Sequence, residues 1–393
     1  MHRIFLSVLL LLASIYSYAN PIIQIGAPLP LTGKLSLEAG KQQRGYDLWA
    51  EMVNEEGGIK VNGVNHRVKI TYFDYQSDSK NARKAVETLI IKNKVNFLFA
   101  PYGSKAAKEA SPIAEKYHIP MIAVTASSFQ TYSRGHKYIF GIFTPNKTLI
   151  DPLVYLIKQT LPQVNSVALI VRKDLFPLSI ARELIKAAKK EDIKIIFYQQ
   201  YAIGARDHSA LLQKLKKVNP AWIVALGYTS DLVLLRKEMS KFGVTASLLT
   251  MIAAPAYQEF IDATGELAEN ITSTGWWHPA VQYTGKDIFG TTANFVTLFQ
   301  KRYGTLPDYV EASSALAGAL FQLAIERSNS IKGELVRESL AQIDETTFWG
   351  PIRFGKNGQN NVSAPLVFQI QNGKPVVIFP SDIATGALRL GIN

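Results

Sequence analysis

The chain has 393 residues, no cysteine, and a formal charge of +12 from 43 Lys and Arg against 31 Asp and Glu. Without cysteine there can be no disulfide staple, thiolate metal site, thiol nucleophile or acyl anchor on an N-terminal cysteine. The length suffices for a large buried core and points to two domains or one two-lobed unit.

Residues 1–19, MHRIFLSVLLLLASIYSYA, read as a secretory leader. Arg3 gives a positive start, residues 4–15 an apolar centre, and Ser17-Tyr18-Ala19 a small-x-small cleavage site. The apolar part is short for a membrane span. The mature protein is therefore expected to be exported and soluble, its location the periplasm. Lys186, Lys189, Lys190, Lys214, Lys216 and Lys217 are strung along predicted helices. They read as solvated faces and not as a nucleic-acid surface.

A first strand is predicted over 22–27, then a loop over 28–33 and a helix over 40–54. Leu48, Trp49, Met52 and Val53 share one face of that helix, and Gly57-Gly58 ends it. Asn62-Gly63 introduces a strand over 67–74, and a helix runs to 92. The reading turns on residues 95–133. An apolar run over 95–100 breaks at Pro101-Tyr102-Gly103-Ser104, and a helix follows to 117. A second apolar run over 119–124 ends in Thr125-Ala126-Ser127-Ser128. The order βαβαβαβ predicts a parallel sheet covered on both faces. Both turns lie at the carboxyl ends of strands, the edge where open α/β sheets bind ligands. Ser104 also opens a helix whose free N–H groups favour a carboxylate. As a helix cap alone it would contribute about 1 kcal/mol, a role compatible with binding.

A second round repeats this order, with strands over 167–171, 193–198, 222–226 and 248–252 and helices between them. Gly227-Tyr228-Thr229-Ser230 resembles Tyr102-Gly103-Ser104, which suggests two similar α/β lobes with their binding edges opposed. After Trp276-Trp277, helices are expected over 292–303, 309–325 and 332–343. Strands are expected over 346–354 and 365–370, and Asn372-Gly373 signals a hairpin to 375–379.

Catalysis finds little support. His66, His118, His136, His208 and His278 are isolated and form no metal-ligand spacing. No phosphate-binding loop, Gly-x-Ser-x-Gly elbow or dinucleotide fingerprint occurs. Neither a catalytic residue, a metal nor a cofactor is expected.

The segments 28–33, 53–59 (VNEEGGI), 72–80 (YFDYQSDSK), 100–104 (APYGS), 120–127 and 348–358 (FWGPIRFGKNG) occur in an order that resembles the leucine/isoleucine/valine-binding family of periplasmic solute receptors. These type I binding proteins serve ABC importers of amino acids and amides. The resemblance implies two doubly wound parallel-sheet lobes joined by three crossings, closing on a ligand like a hinge. Lobe 1 would comprise 20–143 and 277–348, and lobe 2 would comprise 144–276 and 349–393. It also implies a ligand gripped by Tyr102, Gly103, Ser104, Thr125, Ala126 and Ser127. Phe176 and Tyr228 would close over it, with Tyr309 a further aromatic contact. The family's second-lobe glutamate, which pairs the ligand ammonium, is replaced by Ala253. Either another acid takes that role, with Glu38, Asp231 and Glu311 as candidates, or the ligand has no α-amino group and is a carboxylate, amide or aromatic acid. The implied function is delivery of a small solute to an ABC transporter permease by a monomeric receptor. A ligand sensor on the same fold and a secreted amide hydrolase are the alternatives.

Overall fold

The computed structural model describes residues 21–362 and 365–391, so the expected leader lies outside the described residues. Among these residues no helix is long and apolar enough to cross a membrane.

The first sheet is built from β1 (Ile22–Leu29), β2 (Ile59–Val61), β3 (Val64–Asp74), β4 (Phe97–Phe99), β5 (Met121–Ala123) and β6 (Ile139–Gly141), interleaved with α1 (Ser36–Glu55), α2 (Ala82–Ile91), α3 (Gly103–Tyr117) and the short α4 (Phe129–Tyr132). Strand order is β2-β3-β1-β4-β5-β6, parallel except where β2 turns back on β3 through Asn62-Gly63. β1 is central, and Ile23, Ile25, Ala27 and Leu29 are fully buried. Such unbroken apolar strands are what a sheet covered on both faces requires. α1 starts at Ser36, four residues before the predicted start. The loop after β1 is tied down there, because the Leu35 N–H donates to Ser77 Oγ at 3.1 Å.

The second sheet takes β7 (Ser166–Arg172), β8 (Lys194–Tyr201), β9 (Trp222–Leu226), β10 (Leu248–Ile252) and β11 (Thr272–Gly275). Its helices are α5 (Asn146–Thr160), α6 (Leu175–Lys190), α7 (Ser209–Val218), α8 (Thr229–Lys241) and α9 (Gln258–Thr264). The chain then returns to the first lobe as α10 (Thr292–Tyr303), α11 (Tyr309–Ser328) and α12 (Gly333–Ala341). α11 is buried almost all round and lies against α1. Two glycines permit that approach. A Cβ on Gly45 would lie 2.2 Å from the Glu311 carbonyl oxygen, and one on Gly318 would lie 2.0 Å from the Trp49 ring.

The single strand expected over 346–354 is instead a hairpin, β12 (Asp344–Thr347) and β13 (Gly350–Arg353). Phe348 and Trp349 form its turn. Thr347 Oγ1 donates to the Gly350 carbonyl at 2.8 Å, and Gly350 adopts φ 131°. The following segment runs along the outer edge of β6, where the Gly141 N–H donates to Gly358 O and the Asn360 N–H to Gly141 O, both at 2.8 Å. β14 (Leu366–Gln371) and β15 (Lys374–Phe379) then complete the second sheet, in the order β15-β14-β11-β10-β9-β7-β8. Their connection is the expected Asn-Gly turn, with φ 54° at Asn372 and 69° at Gly373.

Candidate functional site

The carboxyl ends of β4 and β5 are locked together before any guest is considered. The Gly103 N–H donates to Thr125 Oγ1 at 2.9 Å. Ser104 Oγ accepts from the N–H groups of Ser127 and Ser128 at 3.2 and 3.1 Å. Each of these two hydroxyls accepts and retains its own proton, so each still has a donor to give. Ser127 Oγ is buried and has no hydrogen-bond partner. The Ala126 carbonyl, by contrast, accepts from Tyr132 at 2.7 Å and is directed into its own lobe. Ala126 therefore shapes the turn.

The opposing rim comes from the carboxyl ends of β7, β9 and β10. Asp174 caps α6, accepting from the Leu175 N–H at 2.7 Å, and holds Phe176 at the first turn. Phe176 and Tyr228 pack with ring centroids 6.2 Å apart. Arg172 pairs with Asp231 and lies over the Tyr228 ring at 4.8 Å. Ala253, just past β10, adopts φ 82° and ψ −64°. A non-glycine residue there stores strain on the order of 1–3 kcal/mol, a feature concentrated at functional positions.

The two rims touch. Tyr102 and Tyr228 have centroids 6.1 Å apart, and a Cβ on Gly103 would lie 3.4 Å from the Tyr228 hydroxyl. Gly103 has φ 81°, so glycine suits it both for conformation and for this approach. Thr229 donates to Glu38 Oε1 at 2.8 Å, and the hydroxyls of Tyr257 and Tyr309 are 2.6 Å apart. Lys41 lies 2.8 Å from Glu259 on α9 and 2.8 Å from Asp308 at the start of α11. Openings border the contact zone. One of about 210 Å³ lies between Tyr75, Tyr102 and Gly103 on one side and Arg172, Asp174 and Tyr228 on the other. One of about 420 Å³ lies beside Ser128, Asn146 and Arg182. One of about 480 Å³ lies beside Lys41, Glu259, Trp277 and Asp308.

Burial dominates the electrostatics. It pushes the hydroxyls of Tyr102, Tyr228, Tyr257 and Tyr309 above the ordinary tyrosine range, so all four stay neutral. Burial also raises Glu38, although the Thr229 hydroxyl pulls the other way. Lys41 loses solvation, but the carboxylates of Asp308, Glu311 and Glu259 outweigh that loss and hold it charged. Among the described residues no group of three or more His, Asp or Glu is placed to hold a metal ion.

Of the residues named from sequence, Tyr102 and Gly103 meet Tyr228 across the gap. Ser104, Thr125 and Ser127 form the turn behind them, and Phe176 packs on Tyr228. Tyr309 is hydrogen-bonded to Tyr257, beside Tyr102, and lies 5.8 Å from Phe143. Trp276 stacks on Phe143 at 4.0 Å where the chain crosses between the lobes. Tyr257 and Arg172 were missed. Arg172 ends β7, and Tyr257 immediately precedes α9 as Tyr228 precedes α8, but without the glycine and serine that marked Tyr228.

The chain has relatives along its whole length. It is 23% identical over 405 positions to the Leu/Ile/Val-binding protein homolog 7 of Brucella suis biovar 1 (strain 1330), covering 99% of each chain. The branched-chain amino acid transporter substrate binding protein of Streptococcus pneumoniae, solved in complex with isoleucine, superposes with a TM-score of 0.80 at 20% identity, covering 90% of this chain and 97% of that one. A solute binding protein of an ABC transporter from R. palustris, solved in complex with benzoate, superposes with a TM-score of 0.78 at 16% identity, covering 94% and 97%. The family model for periplasmic binding proteins matches residues 22–375, and the chain belongs to that family.

Proposed function

We propose that this protein is an extracytoplasmic receptor that traps a small solute between its two lobes and delivers it to the permease of an ABC importer. The observation that carries this reading is the direct meeting of two sheets' carboxyl-end rims, through Glu38 and Thr229, Tyr257 and Tyr309, and Tyr102 and Tyr228. Family membership places the protein outside the cytoplasm, and a leader cut after Ala19 would carry it there. In this reading the hydroxyls of Ser104, Thr125 and Ser127 hold the polar head of the guest. Tyr102 and Gly103 form the first-lobe wall, with Ala126 shaping the turn. Phe176, Tyr228, Ala253 and Tyr309 enclose the remainder. By this reading the lobes divide near 143–146 and near 275–279, and the third crossing, expected at 349–352, comes after residue 361, because β13 pairs with β12 and residues 358–360 bond to Gly141 and Ile142 of the first lobe. Contacts made only with the lobes together shift the population towards the closed form, which the permease would recognise. The solved relatives hold isoleucine in one case and benzoate in another, so the fold accommodates guests with and without an amine.

A thermal-shift screen over amino acids, amides and aromatic acids tests the reading, since a ligand that binds only the folded state raises its apparent stability. Small-angle scattering on any hit should show compaction. A protein stabilised by a guest without change of shape would refute hinged capture.

A further inference from the structure

Of the three acids that could pair with an amine in place of the absent second-lobe glutamate, two are already committed. Asp231 pairs with Arg172 and accepts from the Tyr228 N–H at 3.1 Å. Glu311 accepts from Arg44 Nε and from the Asp308 N–H, each at 2.8 Å. Glu38 differs. It is 2% exposed, one oxygen accepts from the Thr229 hydroxyl, and the other, Oε2, is buried without a hydrogen-bond partner, the backbone N–H groups of Glu38 and Thr229 acting on the carboxyl only electrostatically. The nearest cation on its own helix, Lys41, is engaged by Glu259 and Asp308. Around the carboxyl stand tyrosines whose hydroxyls it influences electrostatically: Tyr75, Tyr102, Tyr228, Tyr257 and Tyr309.

A buried carboxyl with a free oxygen is costly unless a charge or a donor completes it. The position also suits an anion once paired, because Glu38 lies in the first turn of α1, where the helix dipole favours negative charge. Aromatic faces around a carboxylate add attraction for a desolvated cation. We infer that Glu38 is the counter-ion of the site, and that the guest carries a protonated amine whose N–H donates to Glu38 Oε2 between the two lobes. Ala253, which bears no charge, leaves this recognition to the first lobe.

This inference rests on the receptor reading above, and the experiment separates the two. Matched probes are titrated, each amine against its deaminated isostere: leucine against 4-methylpentanoate, and phenylalanine against 3-phenylpropanoate. Wild type and Glu38→Gln are compared by thermal shift and calorimetry. The amine members should bind, their isosteres should bind at least tenfold more weakly, and Glu38→Gln should remove most of that preference. Unliganded Glu38→Gln should melt no lower than wild type, because it exchanges a buried carboxyl without a counter-ion for a neutral amide whose oxygen can still accept from Thr229. That outcome sets a binding role apart from a structural one. Isosteres that bind as well as the amines, or amine affinity unchanged in Glu38→Gln, would overturn the inference and leave the receptor reading intact. Should neither amine bind while another member of the screen, lacking an amine, does, the inference falls and the receptor reading stands; should nothing in the screen bind, both fall.

Discussion

Replacing Lys41 with methionine removes a cation that touches both lobes. Its side chain is 4% exposed and lies 2.8 Å from Asp308, which is 10% exposed, and from Glu259, which is 38% exposed. The two contacts are not equivalent. Asp308 also caps α11, accepting from the Val310 N–H at 2.8 Å, and stands beside the buried Glu311. Without Lys41, those two carboxylates would keep only Arg44 for compensation. Removing one partner of a buried pair costs about 3–5 kcal/mol, so Lys41→Met should lose about 3 kcal/mol. At about 2–4 °C per kcal/mol for a unit of 150–250 residues, Tm should fall by roughly 6–12 °C. Glu259→Gln breaks only the contact across the gap, and solvent screens it. Its cost should stay near 0.5 kcal/mol, as for exposed pairs, and appear chiefly as a more open unliganded form in scattering. Thermal melts and scattering on the two variants check both statements. The reasoning fails if Glu259→Gln destabilises as much as Lys41→Met, or if Lys41→Met melts with wild type.

Three further outcomes are expected. The double variant Thr125→Ala with Ser127→Ala should weaken binding of any guest found in the screen by tenfold or more, about one charge-assisted hydrogen bond; unchanged affinity by calorimetry would remove that turn from the site. His278 is pushed down to about 4 by burial, and the Ala280 N–H donating to its Nδ1 at 3.1 Å favours the neutral ring. The stability it supports is full above about 6.5 and should be lost towards pH 4, by about 3 kcal/mol. Glu311, raised to about 7 by burial and by Asp308, works in the opposite sense, its support being lost as pH rises from 4.5 through 7. The measurable quantity is therefore the difference between wild type and His278→Gln, which should grow in wild type's disfavour as pH falls from 6.5 to 4; a difference independent of pH would refute the assignment. Finally, Gly318→Ala forces a Cβ to within 2.0 Å of Trp49 and should cost more than 2 kcal/mol, whereas Gly40→Ala has nothing within 4 Å and should stabilise α1 by about 0.5–1 kcal/mol in urea titrations.

Local pattern was enough to locate most elements and both first-lobe turns. Apolar runs such as 95–100 and 119–124 are short and unbroken because β4 and β5 are covered on both faces, and their polar endings mark the sheet edge. Asn372-Gly373 specified its turn because both residues accept positive φ. The pattern failed in two places, one decided by a distant contact and one by a tight turn. α1 begins early because Ser77 holds Leu35, and residues 344–353 fold back because Gly350 and Thr347 close a turn inside an apolar run.

The sequence by itself determined two parallel-sheet lobes with tyrosine- and serine-bearing turns at their strand ends, since those features follow from periodicity and residue type. Which acid of Glu38, Asp231 and Glu311 is free depends on where three cations come to rest: Arg172 and Arg44 reach their acids from other elements, and Lys41, on the same helix as Glu38, is drawn away by Asp308 and Glu259. Charge compensation is a property of spacing in three dimensions, and only the packed tertiary structure decided it.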